Sequence, residues 1–434
     1  MILQNWWYTT LLGSSPAFCP PLMKNIRCDI LVVGGGIAGL HAALRLAESG
    51  KDVVLLEKNI CGGSSTGKSA GFLTPDSELE LEQLLRRFGP HGATLLWTFA
   101  SDGIAHITRA IKKYRISCDL QKQDSIFLGI GRSGKNAVTR ENATRAHCGL
   151  HSELLIGSAL KKYCNSDAYT AAVHYDDTYS INPLLYAQGI KRALLSLGVR
   201  IFEGSQVEDI TGHVAKTHTG SVTANHIIMC IDKIEKTFSL ISHKIYHAQT
   251  FLSVSEPLER SDIKAIFPTK DVLCWDSKLV YTYYRITRDK RLLVGGGSAL
   301  TTFTPFYVHS SRVIQHVIND LRKKHPVLNH IEFIQYWPGH IDTTKDLLPI
   351  VDTAPYAPHV TFVAGCVGLP WAAASGIQAA ERALTSKKNE YTPYLSMNRT
   401  FLIPQSVQRV LGKPISFALN NAWSKYFQTD RIKR

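Results

Sequence analysis

Cys28-Asp-Ile-Leu-Val-Val33-Gly34-Gly-Gly36-Ile-Ala-Gly39 is the stretch on which the reading of the fold turns. Its first six residues form a short apolar run, suited to a strand buried on both faces of a parallel sheet. Residues 40–49 are rich in Ala and Leu at helical spacing, and Gly50 stands where a helix-ending glycine belongs. Asp52-Val-Val-Leu-Leu56 then reads as a second buried strand that delivers Glu57. Strand, glycine turn, helix, strand and an acid about 20 residues on make up the dinucleotide-binding fingerprint. Gly34 permits the tight turn, Gly36 lets the backbone approach a pyrophosphate, and Gly39 lets helix lie against strand. The helix start supplies orphan N–H groups and a positive dipole end, and Glu57 would accept from ribose hydroxyls. A second triplet, Gly295-Gly-Gly297, follows a strand-like run but has neither helix nor acid after it, so a turn is expected there.

Working outward, Cys61-Gly-Gly-Ser-Ser-Thr-Gly-Lys-Ser-Ala-Gly71 has almost no side chain to pack. Such a segment suits a place where backbone and hydroxyls lie against a large flat ligand, with Lys68 available to a phosphate. Asn182-Pro183 opens a helix over residues 184–197, closed by Gly198, and strands follow at 199–202 and 224–230. Residues 250–300 change to aromatic and β-branched alternation, with 279–287 the clearest strand, which predicts an antiparallel sheet. Val360-Thr-Phe-Val-Ala-Gly365-Cys-Val-Gly368-Leu-Pro370 then leads a strand through Gly-x-x-Gly into a helix over 371–384. This places a second helix N-terminus, favourable to negative charge, beside whatever the first glycine loop binds.

The chain has 434 residues, too many for one ordinary core, and 44% apolar against 19% charged residues exclude a mainly disordered protein. Its 49 Lys plus Arg against 35 Asp plus Glu leave +14, which raises nucleic acid or anionic lipid as partners. No zinc-finger, RNA-binding or dense basic motif supports nucleic acid. Part of the excess lies in residues 391–434, where Arg399, Arg409, Lys413, Lys425, Arg431, Lys433 and Arg434 face Asp430 alone, a net of +6. Nine scattered cysteines without a Cys-x-x-Cys pair point to reduced thiols and no cysteine-cage metal site, and no metal is expected from the His147/His151 or His243/His247 spacings. Before Lys24 there is no basic residue, so a secretory signal is not expected, and no run of about 18 apolar residues would span a bilayer. The expected location is the cytoplasm, and the native start, Met1 or Met23, stays open.

Taken in order, Gly34 to Gly39 with Glu57, Ser64 to Gly71, Gly198 to Val207, Thr344-x-Asp346-x-x-Pro349 and Gly365-x-x-Gly368 resemble the flavin-dependent D-amino-acid oxidase superfamily. Within it, Tyr283-Tyr-Arg-Ile-Thr287, Arg291 to Gly297 and the Trp6-Trp-Tyr8 start look most like the gamma-glutamylputrescine oxidase subgroup. The resemblance spans nearly the whole chain. It implies an α/β fold class with an α+β part: a Rossmann-like FAD-binding domain interleaved with an antiparallel-sheet substrate domain. Residues 25–90, 180–240 and 341–389 would form the FAD domain and 91–179 with 241–340 the substrate domain. Residues 1–24 would be an extension, and 390–434 a basic tail with an amphipathic helix. The same resemblance puts FAD diphosphate at Gly34, Gly36, Ile37, Ala38 and Gly39, and adenosine ribose at Glu57 beside Lys58. Ser65 and Thr66 match diphosphate and ribityl positions, Val207 an adenine contact, and Gly365, Gly368 and Leu369 the loop under the flavin ring. Lys68 stands where relatives usually have Arg, Ser69-Ala70 replaces Asn-Gly, and Cys366 is expected to be an inert thiol.

The implied reaction removes hydride from the carbon bearing an amine of a small amine or amino acid, giving an imine that water hydrolyses. Tyr284, Arg285 and His340 are the candidates for substrate contact, Arg285 as a fork for a carboxylate. Oxygen or quinone would take the electrons. Quinone would fit a peripheral membrane contact through residues 414–427, where Ile415, Ala418, Leu419, Ala422 and Tyr426 fall at helical spacing. A helix docked on the protein's own core is the plainer expectation for that tail.

Overall fold

The apolar run around residue 30 becomes the strand Ile26–Val33, and its alternate side chains enter two different cores. Ile30 and Val32 join one apolar cluster with Val53 and Leu55, while Leu31 and Val33 join another with Val54 and Leu56. A strand covered on both faces has no use for polar alternation, which is why the run is continuous in sequence. In this computed structural model the described residues are 1–14, 16–76, 78–232, 239–298, 308–399, 401, 403–413, 415–417 and 419–420.

Ile26–Val33 pairs in parallel with Val53–Leu56 on one side and Ser221–Cys230 on the other. Arg200–Phe202 extends the sheet beyond Val53–Leu56, and Ala357–Ala364 lies parallel to Ser221–Cys230. Asp209–Thr211 with Val214–Lys216, and Ile350–Ala354, complete an eight-stranded sheet drawn from three separated parts of the chain. Helices Ile37–Glu48, Pro183–Ser196 and Leu369–Thr385 contribute to the larger apolar cluster on one face.

Among the described residues a nine-stranded sheet forms the second lobe. Its order is Ile2–Leu3, Phe333–Thr344, Ile245–Pro257, Arg291–Gly296, Tyr283–Ile286, Leu273–Asp276, Ser125–Gly129, Ala171–Tyr175 and Glu153–Leu155. Pairing is antiparallel except where Ile2–Leu3 meets Phe333–Thr344 and where Leu273–Asp276 meets Ser125–Gly129. The mixed α/β arrangement with an antiparallel lobe is the expected fold class.

Several finer expectations are corrected. Gly295 and Gly296 do not turn but continue the strand Arg291–Gly296. Glycine is required at 295 because the Tyr283 ring lies across it, and a Cβ there would come within 2.3 Å of that ring. The strand expected over 279–287 is only Tyr283–Ile286. The helical stretch Leu81–Lys113 is two helices meeting at a kink at Gly89 and Pro90, where Gly89 has φ of +71°, and residue 340 lies inside the strand Phe333–Thr344. The N-terminal segment, expected as an extension, is built into the fold: Ile2–Leu3 is an edge strand, and Trp7 and Leu11 of the helix Trp6–Leu12 are buried. Most of the tail helix lies outside the described residues. Its residues 415–417 and 419–420 are helical, and Phe417 packs on Tyr246 with ring centroids 5.2 Å apart.

Candidate active site

The turn after Ile26–Val33 is built as its glycines require. Gly34 has φ of +105°, and a Cβ there would lie 2.2 Å from the Cys230 carbonyl oxygen. Gly39 allows the helix to close on the turn, since a Cβ would lie 1.9 Å from Gly34 O. Gly36 is the N-cap of Ile37–Glu48 and has no side chain to occlude the helix start. Glu57 is buried, and its carboxylate accepts from Gly35 N at 2.7 Å and Asn59 N at 2.9 Å. Burial raises the Glu57 pKa, opposed by those two hydrogen bonds.

A cavity of about 430 Å³ opens over this turn. Gly34, Gly36, Ile37 and Ala38 line it, with Glu57 and Lys58. Ser65, Thr66 and Val207 line it from other segments, and Gly365, Gly368 and Leu369 close it at the start of Leu369–Thr385. Of the residues assigned to a cofactor from sequence, Gly39 alone acts from behind the wall. Gly368 is the N-cap of Leu369–Thr385, so two glycine-capped helix starts face one cavity. That is the arrangement in which backbone N–H groups and helix dipoles hold a diphosphate, and a carboxylate at Glu57 suits a ribose. The residues present therefore fit a dinucleotide. Cys366 lines the same cavity, and burial pushes its thiol up to about 12.

A second cavity of about 380 Å³ adjoins the first, sharing Ser65, Ser69, Ile341, Gly368 and Leu369 with it. Lys68 lines this chamber and not the first, so its expected phosphate contact is not supported by its position. The phase of one strand decides which aromatic residue faces the chamber. Tyr283 pairs with Gly295, lines the chamber, and spreads over the glycine. Tyr284 points to the opposite face, where its hydroxyl lies 3.0 Å from His325 Nε2 and 3.4 Å from Cys164 Sγ, and it lines neither cavity. The expectation for Tyr284 is corrected: it faces away from the chamber that Tyr283 lines, because side chains alternate along a strand.

Arg285 is likewise corrected. It is only 3% exposed, and its guanidinium donates to Ala70 O at 2.8 Å and Ile181 O at 2.9 Å. It lines neither cavity and offers no fork to a carboxylate. His340 does reach the chamber wall, where its carbonyl accepts from Ser65 Oγ at 2.8 Å. Its ring, however, stacks on His247 with centroids 6.3 Å apart, and His247 pairs with Asp342 across the strands. Register puts His247, Gln249, His340 and Asp342 on one sheet face and the chamber residues Ala248, Thr250 and Ile341 on the other.

What the chamber presents is aromatic and charged, with Lys68, Arg87 and Lys278 in its wall beside the carboxyls. Phe127, Trp275, Tyr281 and Tyr283 line it together with Asp76, Glu78 and Glu80. Tyr281 OH donates to Glu78 at 3.1 Å, and Trp275 Nε1 donates to Glu80 at 2.9 Å. Burial pushes Glu78 up to about 7, against the Tyr281 hydrogen bond. Burial also holds Asp76 and Glu80 well above the usual carboxylate range, reinforced at both by Glu141 and at Glu80 by Asp76, with Arg145 opposing. None of these carboxyls stands out in sequence; the only available sign was the clustering of Asp76, Glu78 and Glu80 directly ahead of a helix.

Residues 29–382 match the family model described as DAO, FAD dependent oxidoreductase. The chain belongs to this family. FAD is accordingly its cofactor, and the protein is an FAD-dependent oxidoreductase. It is 28% identical over 359 residues to a probable oxidoreductase, OrdL, of Haemophilus influenzae, covering 80% of each chain. It is 30% identical over 340 residues to the gamma-glutamylputrescine oxidoreductase of Escherichia coli, covering 76% of this chain and 77% of the relative. Among solved structures, glycine oxidase from Geobacillus kaustophilus superposes with a TM-score of 0.74 at 18% identity, over 86% of this chain and 99% of that one. No described helix is long and apolar enough to cross a membrane.

Proposed function

We propose that this protein oxidises the C–N bond of a small amine, and that the amine enters the acidic, aromatic chamber as a cation. The observation that carries the reading is the wall common to the two cavities: Ser65, Ser69, Ile341, Gly368 and Leu369 border both. FAD bound in the first cavity supplies the two-electron oxidation that turns the amine into an imine, which water then hydrolyses. Gly34, Gly36, Ile37, Ala38, Ser65 and Thr66 would hold its diphosphate and ribityl chain, with Gly39 shaping the turn from behind. Glu57, Lys58 and Val207 would hold its adenosine end, and Gly365, Gly368 and Leu369 its ring.

The chain's own part is to orient the substrate carbon at the shared wall, exclude water and govern the proton on the amine. Aromatic faces attract an ammonium group, as do the carboxyls once ionised, and Arg285 offers no fork to a carboxylate, although Lys68, Arg87 and Lys278 share the chamber wall. This chemistry, with the likeness to gamma-glutamylputrescine oxidoreductase, supports an amine of the polyamine class over a simple α-amino acid. Oxygen is the proposed acceptor. Transfer to quinone is the second reading, favoured by exposed Val410, Ile415 and Leu419 on a basic tail.

The test is to purify the yellow protein and mix it without air with putrescine, N-acylated putrescines, glycine and D-alanine. Bleaching by the diamines and not by the amino acids is expected, with peroxide release on admitting air. A protein that bleaches only with amino acids would overturn the amine reading, and reoxidation by a soluble quinone but not by air would select the second acceptor.

A further inference from the structure

The segment 61–71 has few side chains with which to hold its own shape, yet Ser65 and Thr66 within it line the cofactor cavity. Its carbonyls are held from outside. Tyr8 OH donates to Gly63 O at 2.9 Å, Asn5 Nδ2 to Gly67 O at 2.6 Å, and Trp7 Nε1 to Ser69 O at 2.8 Å. Trp337 Nε1 donates to Lys68 O at 3.1 Å, and Arg285 Nε to Ala70 O at 2.8 Å. The donors also brace one another: Trp7 meets Trp337 edge-on with centroids 6.3 Å apart, and the Arg285 guanidinium lies 5.7 Å from the Trp7 ring. Asn5, Trp7, Arg285 and Trp337 are buried, and none of the five donors lines the cofactor cavity.

We infer that Asn5, Trp7 and Tyr8, with Trp337 and Arg285, form a clamp that positions the 61–71 segment for FAD, so that these five donors support a cofactor cavity they do not line. With its carbonyls turned outward to fixed donors, the segment presents hydroxyls inward. Thr66 Oγ1 accepts from Ile37 N at 3.0 Å at the helix start, and Ser65 Oγ is tied to His340 O at 2.8 Å. A loop of small residues would otherwise pay ordering entropy each time the cofactor binds, and a pre-ordered one does not. The clamp rests on the assignment of the Gly34–Gly36 cavity to FAD, and the experiment separates the two.

Two substitutions remove a donor while sparing the rest of the side chain's work. W7F keeps the buried ring but loses the indole N–H. N5D keeps the acceptor that caps Trp6–Leu12 through Trp7 N but loses the amide N–H to Gly67 O. FAD release from the purified holoprotein would be followed by flavin fluorescence on dilution, and hydrogen exchange measured on the same samples. Expected are FAD binding weakened about tenfold by each variant, faster exchange over residues 62–71, and unchanged exchange in the strand Ile26–Val33. L12A, at an exposed position of the same helix, should match the wild type. Wild-type FAD retention in W7F and N5D would overturn the clamp, as would faster exchange spread equally into Ile26–Val33, which would make the contacts merely structural. If either variant fails to fold, the other decides by the same two readouts. A wild-type protein that takes up no FAD would overturn the cofactor assignment and the clamp with it.

Discussion

The cofactor cradle and the substrate chamber share a wall, yet they are built on opposite principles. The cradle recognises its ligand through backbone, so its demands appear as residues without side chains at fixed spacing. The chamber recognises through side chains, so its content depends on which way each strand residue points. A pattern of glycines survives any uncertainty of one residue in strand phase, whereas Tyr283 and Tyr284 exchange roles under it. The comparison teaches that binding built on the backbone is readable from spacing, and binding built on side chains awaits the register.

The largest effect expected on either side of the shared wall is at Gly39. In G39V two or more atoms would be forced into the space of Gly34 O, where a Cβ alone would already sit at 1.9 Å. The turn must open or the helix must move, and overpacking of this kind costs about 1–3 kcal/mol or more. The expected outcome is a protein isolated colourless, with the antiparallel lobe still showing its β-sheet circular dichroism. A yellow G39V protein with normal FAD affinity would break the claim that backbone shape governs the cradle.

That claim also explains how much could be read beforehand. The strand, turn, helix and acid from residue 28 to 57 were legible because each step is enforced locally: buried strands by apolar runs, the turn by Gly34, the helix end by Gly50. Gly295 misled for an equally physical reason, since its glycine answers a ring on the neighbouring strand and not a local turn. Arg285 misled because a strand arginine is legible as a cation but its partners, Ala70 O and Ile181 O, come from 215 and 104 residues away. The acidic wall was illegible because it becomes a wall only when Trp275 and Tyr281 fold over it.

A medium effect should separate the adjacent tyrosines. Y283A removes an aromatic face from the chamber and should raise KM for a cationic amine about tenfold to a hundredfold while FAD stays bound. Y284F removes only a hydroxyl that contacts Cys164 and His325 behind the sheet, costing about 1 kcal/mol of stability and leaving KM unchanged. Steady-state kinetics and thermal melts check both. A KM defect in Y284F with a silent Y283A would reverse the phase on which the chamber's description depends.

The smallest effect is the most specific, and it concerns pH. Burial raises Glu78 to about 7, so the folded protein holds a proton that the unfolded chain would release near the ordinary carboxylate value. The neutral form's contribution to stability is thus full at low pH and is lost as pH rises toward and through about 7. Binding of a cation runs the other way, because only ionised Glu78 attracts it, so affinity should strengthen over the same window. Asp76, Glu80 and Glu141, also raised, and Arg145 add to the field in which this occurs. Tetramethylammonium isolates the effect, since its own charge does not vary with pH. Its inhibition constant should fall several-fold between about pH 6 and 8 in the wild type and fall clearly less in E78Q, with FAD spectra identical in the two proteins. Parallel pH profiles would remove Glu78 from recognition and pass its part to the other raised carboxyls of the same wall, Asp76 and Glu80.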